Sequence, residues 1–187
     1  MMKLAVSVAV TALLLLSCAT LPKAERETDS LVVGSFVMDY PDGFFGEPPR
    51  SINSGVRLQF TNRTRNTQFA VTTASPGGYF TFLGTDTDEY ELTSFSYDIT
   101  VDTLHLRVSG GGNVSYRFSD IPRCVLYVGH LVATFGHPRL VKETGAHSSS
   151  WDFDRSLRQD NRQSEVPDYL QGVDPDTPWL SVDLRTP

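Results

Sequence analysis

Hydrophobic and polar residues alternate along much of the chain between residues 31 and 135. In GVRLQFTN (55–62), Val56, Leu58 and Phe60 fall on one face and polar residues fill the other. This two-residue period is typical of a half-buried β-strand. Further short segments, rich in Val, Thr, Phe and Tyr, cover 31–40, 67–73, 78–84, 89–101, 104–110, 113–120 and 124–135. The pattern predicts an all-β fold, an antiparallel β-sandwich of about seven or eight strands joined by turn sequences such as SPGG, GGGN and DIPR.

The alternation weakens after Phe135. Ser150, followed by Asp152 and Asp154, has the features of a helix start: a capping side chain and acidic residues in the first turn. Near the C-terminus, PWLSVDL (178–184) alternates like a closing strand. We therefore expect residues 136–187 to form a C-terminal tail with a candidate short helix, either packed on the sandwich or partly disordered.

A predominantly apolar run, 4–16, follows Lys3 near the N-terminus. At 13 residues this run is shorter than the roughly 20 residues that a membrane-spanning helix needs. It has the length of the hydrophobic part of a signal peptide. The run leads directly into L-L-S-C, which ends at Cys18 and resembles the lipobox of bacterial lipoproteins. The alternatives are an ordinary signal peptide with an incidental cysteine and an uncleaved anchor.

The lipobox resemblance implies a lipid anchor. In that family the cysteine thiol receives a diacylglyceryl group, and cleavage leaves the cysteine as the first residue. Cys18 is then the lipidation site and the membrane is a partner through the N-terminal lipid. Ala19 after the cysteine resembles lipoproteins that are sent on to the outer membrane. The expected localisation is therefore the bacterial cell envelope, lipid-anchored, in the outer membrane.

Four parts of the chain follow from these patterns. We expect a signal peptide at 1–17, a lipidated cysteine with a polar tether at 18–30, a sandwich domain at 31–135, and the tail at 136–187. The tether is predicted because ATLPKAERETDS is mostly polar. A chain of this length is expected to form a single main domain.

The charge of the chain excludes one class of partner. Residues 1–17 carry one charged side chain, Lys3, so the rest of the chain has 15 basic and 22 acidic residues and a formal charge of −7. Nucleic-acid binding is dominated by neutralisation of phosphates, so we expect no nucleic-acid partner. Besides Cys18 the chain has one cysteine, Cys124, which lies in an apolar segment and is predicted to be a buried thiol.

Residues 55–92 carry a second resemblance. Thr73, Gly77 or Gly78, Phe80 and Phe82 follow the V-x-L formed by Val56 and Leu58, and they precede Tyr90 and Leu92. This order is similar to the carboxypeptidase-regulatory-like, or transthyretin-like, β-sandwich repeat. The resemblance implies a sandwich in which a glycine with positive φ opens the turn and the alternating aromatics point inward. Such modules serve as accessories, stalks and binding units, so the resemblance implies a fold rather than one function.

Catalytic and metal-binding motifs are weak in this sequence. The four histidines, His105, His130, His137 and His147, lack metal-ligand spacings, and no G-x-S-x-G elbow is present. The acidic turn 86–89 offers carboxylates of the kind Ca²⁺ binds, but it lacks the EF-hand spacing, so a solvated turn is the preferred interpretation. We expect a protein that is not an enzyme and that has no cofactor or metal site.

The loop YPDGFFGEPPR (40–50) is the candidate contact surface. Tyr40, Phe44 and Phe45 lie among Pro and Gly residues, and aromatic side chains exposed in such a loop are typical of binding surfaces. The alternative is that these rings fill one end of the sandwich. The sequence thus predicts a non-catalytic envelope lipoprotein that binds or scaffolds another envelope protein or glycan. A module that binds a carbohydrate or small ligand is the alternative.

Overall fold

The computed structural model describes residues 20–40, 50–85, 87–101, 104–143 and 149–187. Strands make up 54% of the chain and helical segments 12%, so the predicted all-β class is confirmed. Within the described residues the elements are, in chain order, β1 (Ser30–Tyr40), β2 (Arg50–Ile52), β3 (Arg57–Asn62), β4 (Thr67–Thr72), β5 (Tyr79–Gly84), β6 (Glu89–Val101), β7 (Leu104–Ser119), β8 (Val125–Glu143), β9 (Ser149–Asp160), α1 (Val166–Val173) and β10 (Leu184–Arg185). Short 3₁₀ turns at Gln163–Glu165 and Pro178–Ser181 flank α1.

The strands form two sheets that face each other across the core. The first sheet has the order β4-β3-β6-β7 and is antiparallel throughout. The second sheet has β1 and β8 side by side at its centre. The outer edge of β1 pairs with β5 and then β2, and β8 pairs with β10 and then β9. The β1–β8 and β8–β10 pairs are parallel, a feature that strand patterns alone do not predict.

The core between the sheets is aromatic. Each residue for which the alternation and the family resemblance predict an inward side chain is buried there: Val56, Leu58, Phe60, Phe80, Phe82, Tyr90 and Leu92. Phe60 lies at the centre of a ring cluster, with its centroid 5.6 Å from that of Phe80 and 5.2 Å from that of Phe82. Burial of these rings is the main source of stabilisation for such a sandwich, because each large aromatic removes about 150–250 Å² from water.

Two glycines fix the backbone where it departs from regular strand geometry. Gly78 opens β5 with φ +73, and a Cβ there would clash with the carbonyl oxygens of Phe36 and Asn53, so the predicted glycine turn is confirmed. Gly129, with φ +101, interrupts β8. The residues before Gly129 and after His130 point into the core, and the pairing with β1 shifts by one residue there, which defines a β-bulge.

The C-terminal segment forms a third layer on the outer face of the second sheet. Val166 and Leu170 of α1, together with Trp179, are buried against Val33, Tyr127 and other residues of that face. The Tyr79 and Tyr169 rings stack with centroids 4.1 Å apart. The second sheet is therefore buried on both faces in this region.

Residues 20–29 are packed on this layer, which contradicts the prediction of a free polar tether. Leu21 is buried in the same cluster, and Trp179 Nε1 donates a hydrogen bond to the Pro22 carbonyl at 2.8 Å. Asp29 accepts hydrogen bonds from the amides of Glu25 and Arg26, both at 2.8 Å, and so closes a turn before β1. The domain therefore includes contacts from residues 21–29, which were assigned to the tether.

Four local predictions are also wrong. The glycines at 110–112 form no hairpin, because β7 continues through them and pairs with the long β6. Ser150 does not start a helix, because 149–160 forms β9 against β8, and the helix occurs instead at Val166. Only Leu184 and Arg185 form the predicted closing strand. The predicted end of the sandwich at residue 135 falls inside β8.

Candidate functional site

The aromatic loop predicted as a contact surface lies largely outside the described residues, as do Phe44, Phe45 and Cys18. Tyr40 is described and is not available to a partner. It ends β1 with 1% of its surface exposed, and its ring stacks on Phe135 with centroids 4.8 Å apart. Burial raises the pKa of the Tyr40 phenol well above its ordinary value. Tyr40 therefore fills the space between the sheets, which is the alternative considered for this loop.

The acidic turn contains a buried carboxylate rather than a solvated one. Asp88 is 3% exposed and accepts hydrogen bonds from Asn62 Nδ2 at 2.8 Å and from Thr85 Oγ1 at 3.0 Å. Arg65 Nε lies 2.7 Å from the same carboxylate. Asp88 thus ties the β3–β4 turn to the β5–β6 turn. Among the described residues, no group of three or more side chains has the arrangement of a metal site.

A second buried carboxylate, Asp120, lies close to Asp88. Ser30 Oγ donates to Asp120 Oδ1, and Oδ2 has no hydrogen-bond partner within the described structure. Burial raises the pKa of Asp120 above its ordinary value, although the Ser30 hydrogen bond opposes this effect, and the nearby charges of Asp88 and Asp29 add to it. Ionised Asp120 is therefore penalised in the folded state.

Replacement of Asp120 should give a pH-dependent change in stability. Ionisation of buried Asp120 lowers the free energy of unfolding at pH values above its raised pKa. This loss disappears as the pH falls towards about 4, the ordinary pKa of an aspartate, because the carboxyl group is then protonated in both the folded and the unfolded state. We expect Asp120→Asn to be more stable than the parent protein at pH 7 to 8, with the difference vanishing near pH 4. Asp88→Asn is the matched control: it should be destabilising at pH 7, since the Arg65 ion pair is lost. Urea unfolding across this pH range measures both changes in stability. Equal effects of the two variants would contradict the conclusion that ionised Asp120 destabilises the fold.

Ser35 and His130 form a buried pair across β1 and β8. Ser35 Oγ and His130 Nδ1 are hydrogen-bonded at 2.7 Å. Both residues are buried, so neither atom is open to a substrate from solvent. Burial, followed by the positive charge of Arg162, lowers the pKa of His130, and the imidazole is neutral at neutral pH. The pair satisfies two polar groups under the C-terminal layer.

The predicted buried thiol of Cys124 is confirmed. The residue has no exposed surface, and its Sγ donates to the Ile121 carbonyl at 3.0 Å. Burial raises the pKa of the thiol to about 11, and the negative charge of Asp120 adds to the rise. At neutral pH the group is protonated and therefore a poor nucleophile.

A polar cavity of about 480 Å³ opens where the second sheet has a gap. Along the edge of β8 opposite β1, Leu126 pairs with β10 and His130 pairs with β9, and no described strand pairs with residues 127–129 on that edge. The cavity occupies this gap. Its lining consists of Tyr116, Arg117, Tyr127, Gly129, Gln159, Asp160, Asn161, Thr186 and Pro187.

Side chains replace the missing strand at the gap. Tyr116 donates its hydroxyl to the Val128 carbonyl at 2.6 Å, and Gln159 Nε2 donates to Tyr116 at 3.0 Å. Tyr127 accepts from the Arg162 amide at 3.0 Å. Burial raises the pKa of both phenols, so both are neutral at neutral pH. The β-bulge at Gly129 lies at this point, and bulges are over-represented next to active sites.

The charges that line the polar cavity are already paired. Arg117 Nε lies 3.1 Å from Glu91, and Asp160 lies 3.0 Å from Arg158 Nη2. The groups left to meet a ligand are hydroxyls and amides, which both donate and accept hydrogen bonds. Asn161 also lines a neighbouring cavity of about 480 Å³, so the two cavities adjoin at this residue, and we call the pair the polar groove. Such a groove suits a neutral polar chain, such as a glycan or an extended peptide.

Another cavity, of about 380 Å³ and mostly apolar, lies between residues 24–29 and the Pro178–Ser181 turn. Its lining includes Ala24, Arg26, Arg123, Pro178, Trp179 and Val182. Trp179 and Val182 also line a small cavity that contains Leu180. These apolar surfaces are therefore continuous.

Comparisons with protein-family models, curated proteins and solved structures find no match to this chain. Within the described residues, no helix has the length and hydrophobicity needed to cross a bilayer. The polar cavity and the apolar cavity both depend on contacts between residues far apart in the sequence, and the sequence pattern predicts neither. Gln159 lies in β9 and Asn161 directly follows it, in the segment after Ser150 where the sequence predicts a helix. The sequence signals that remain for the polar cavity are Gly129 within an apolar strand and the tyrosines of β7 and β8.

Proposed function

We propose that this chain is a lipid-anchored bacterial envelope lipoprotein whose sandwich is a non-catalytic binding module for another envelope protein or glycan. Cys18 carries the anchor, and the outer membrane is its location. The L-L-S-C sequence supports the anchor. The resemblance of residues 55–92 to a carboxypeptidase-regulatory-like repeat belongs to the same proposal, and the positive φ of Gly77 and Gly78 supports it.

The polar groove is the observation that carries the binding role. It joins two cavities at Asn161 and offers hydroxyl and amide groups rather than unpaired charges. A neutral polar chain matches these groups, whereas a nucleic acid or an apolar ligand does not. The buried state of Ser35, His130 and Cys124 supports a role without covalent catalysis. A soluble carbohydrate would meet the same groups, so a carbohydrate-binding lipoprotein is the second candidate.

Site-specific photo-crosslinking in cells tests the binding role. Asn161 is replaced by p-benzoylphenylalanine, which inserts into nearby C–H bonds of a protein or a glycan. The matched control is the same replacement at Gln171, an exposed residue of α1 outside both cavities. We expect a defined adduct from position 161 and none from position 171. If both positions give the same adducts, or if position 161 gives none, the groove is not the binding surface.

A further inference from the structure

The position of residues 20–29 limits how far the domain can lie from its anchor. A free tether from Cys18 to residue 30 would span 12 residues, or about 40 Å when extended. In the structure the chain is already packed on the domain at Leu21 and Pro22. Thr20 is two residues from Cys18, which corresponds to at most about 7 Å. The headgroup region on each side of a bilayer is roughly 5–8 Å deep.

The surface around this point is apolar. We name the anchor-side face by Ala24, Pro178, Trp179, Leu180 and Val182, which line the two connected apolar cavities. Leu180, at 41%, is the exposed large hydrophobic side chain found among the described residues. In sequence it directly follows Trp179, whose side chain donates a hydrogen bond to the Pro22 carbonyl.

The charges near this face are balanced. Arg26 and Arg123 line the apolar cavity together with Glu27 and Asp29. Arg123 Nη2 lies 3.7 Å from Glu27. Balanced charges give neither strong attraction to nor repulsion from anionic headgroups, so contact with lipid at this face depends on apolar burial.

We propose that the anchor-side face is seated on the lipid bilayer, with Leu180 inserted among the headgroups and the first sheet directed away from the membrane. This inference rests on the proposed lipid anchor at Cys18. A short link and an adjacent exposed leucine favour the lipid surface over a protein partner at this face.

A fluorescent probe at Leu180 tests this orientation. The lipidated protein carries Leu180→Cys labelled with the environment-sensitive dye NBD, and Gln68→Cys on the exposed edge strand β4 is the matched control. Cys124 takes no label at neutral pH, since its thiol is buried with a pKa of about 11. The proteins are reconstituted into vesicles of phosphatidylethanolamine and phosphatidylglycerol that contain spin-labelled lipid.

We expect a blue-shifted emission and strong quenching by the lipid spin label at position 180, with no change at position 68. Because the contact is apolar, added salt should leave the quenching unchanged. If the protein stays with the vesicles while position 180 remains unquenched, the seated orientation is wrong and the anchor stands. Equal quenching at both positions also overturns it. If the parent protein, without an added cysteine, takes the label at Cys18, the anchor itself fails.

Discussion

Phe82→Ala is expected to lower the free energy of unfolding by about 3–5 kcal/mol, the usual range for removal of a buried phenylalanine. The ring is packed against four others, with centroid distances of 5.2 Å to Phe60, 5.0 Å to Phe69, 5.3 Å to Tyr90 and 6.4 Å to Phe118. Aromatic pairs of this kind add about 0.5–1.5 kcal/mol beyond the area they bury. A single domain is stabilised by about 5–15 kcal/mol in total, so this loss is a large share of the free energy of unfolding.

Urea unfolding followed by circular dichroism measures this loss. Phe82→Leu is the matched control, because it keeps most of the volume and should cost less than about 1.5 kcal/mol. A loss below about 1 kcal/mol for Phe82→Ala would mean that this ring is not part of the core between the sheets. A large and equal loss in both variants would point to shape rather than volume as the critical property.

Strand periodicity predicted the central part of the fold because each strand there has one face in the core. In β3, alternation alone identified Leu58 and Phe60 as buried, and the bounds of β6 at Glu89–Val101 match the predicted segment. The two parallel pairs of β8 could not be predicted, because strand order depends on contacts between distant parts of the chain. The same holds for the Ser35–His130 hydrogen bond, which joins residues 95 positions apart.

Local sequence signals gave the wrong prediction where pairing with a distant strand determines the structure. Ser150 and the acidic residues after it resemble a helix start, but the long free edge of β8 takes this segment as β9. The helix at Val166–Val173 did carry a signal: Val166, Leu170 and Val173 have helical spacing, and Pro167 lies in the first turn, where proline is tolerated. The helical spacing around Pro167 was therefore a better indicator of the helix than the capping signal at Ser150.

The candidate sites were less predictable than the fold. The polar groove is built from β7, β8, β9 and the C-terminal end, and no single segment has its composition. The packing of residues 20–29 depends on one apolar side chain, Leu21, and on one hydrogen bond from Trp179, a residue 157 positions from Pro22. A mostly polar segment with so few contacts to the domain has the composition of a linker. Composition alone therefore favoured a free tether over the packed segment.

Cys18→Ala is expected to abolish fatty-acid incorporation completely. The thiolate of cysteine is the group that attacks the lipid donor in lipoprotein processing, and alanine offers no acceptor. Metabolic labelling with a radioactive fatty acid should therefore mark the parent protein and leave the variant unlabelled, as an unprocessed precursor. Cys124→Ala is the matched control and should retain the label, because its thiol is buried. Label retained on Cys18→Ala would exclude the lipobox interpretation.

The intact mass of the protein extracted from membranes tests the lipid anchor most directly. The account predicts a chain that begins at Cys18 and is heavier than residues 18–187 by a diacylglyceryl group, with or without a further acyl chain. Two or more acyl chains are needed for stable attachment, since one chain alone holds a protein only weakly. A mass equal to an unmodified chain cleaved at another position, with a free thiol at Cys18, would contradict it.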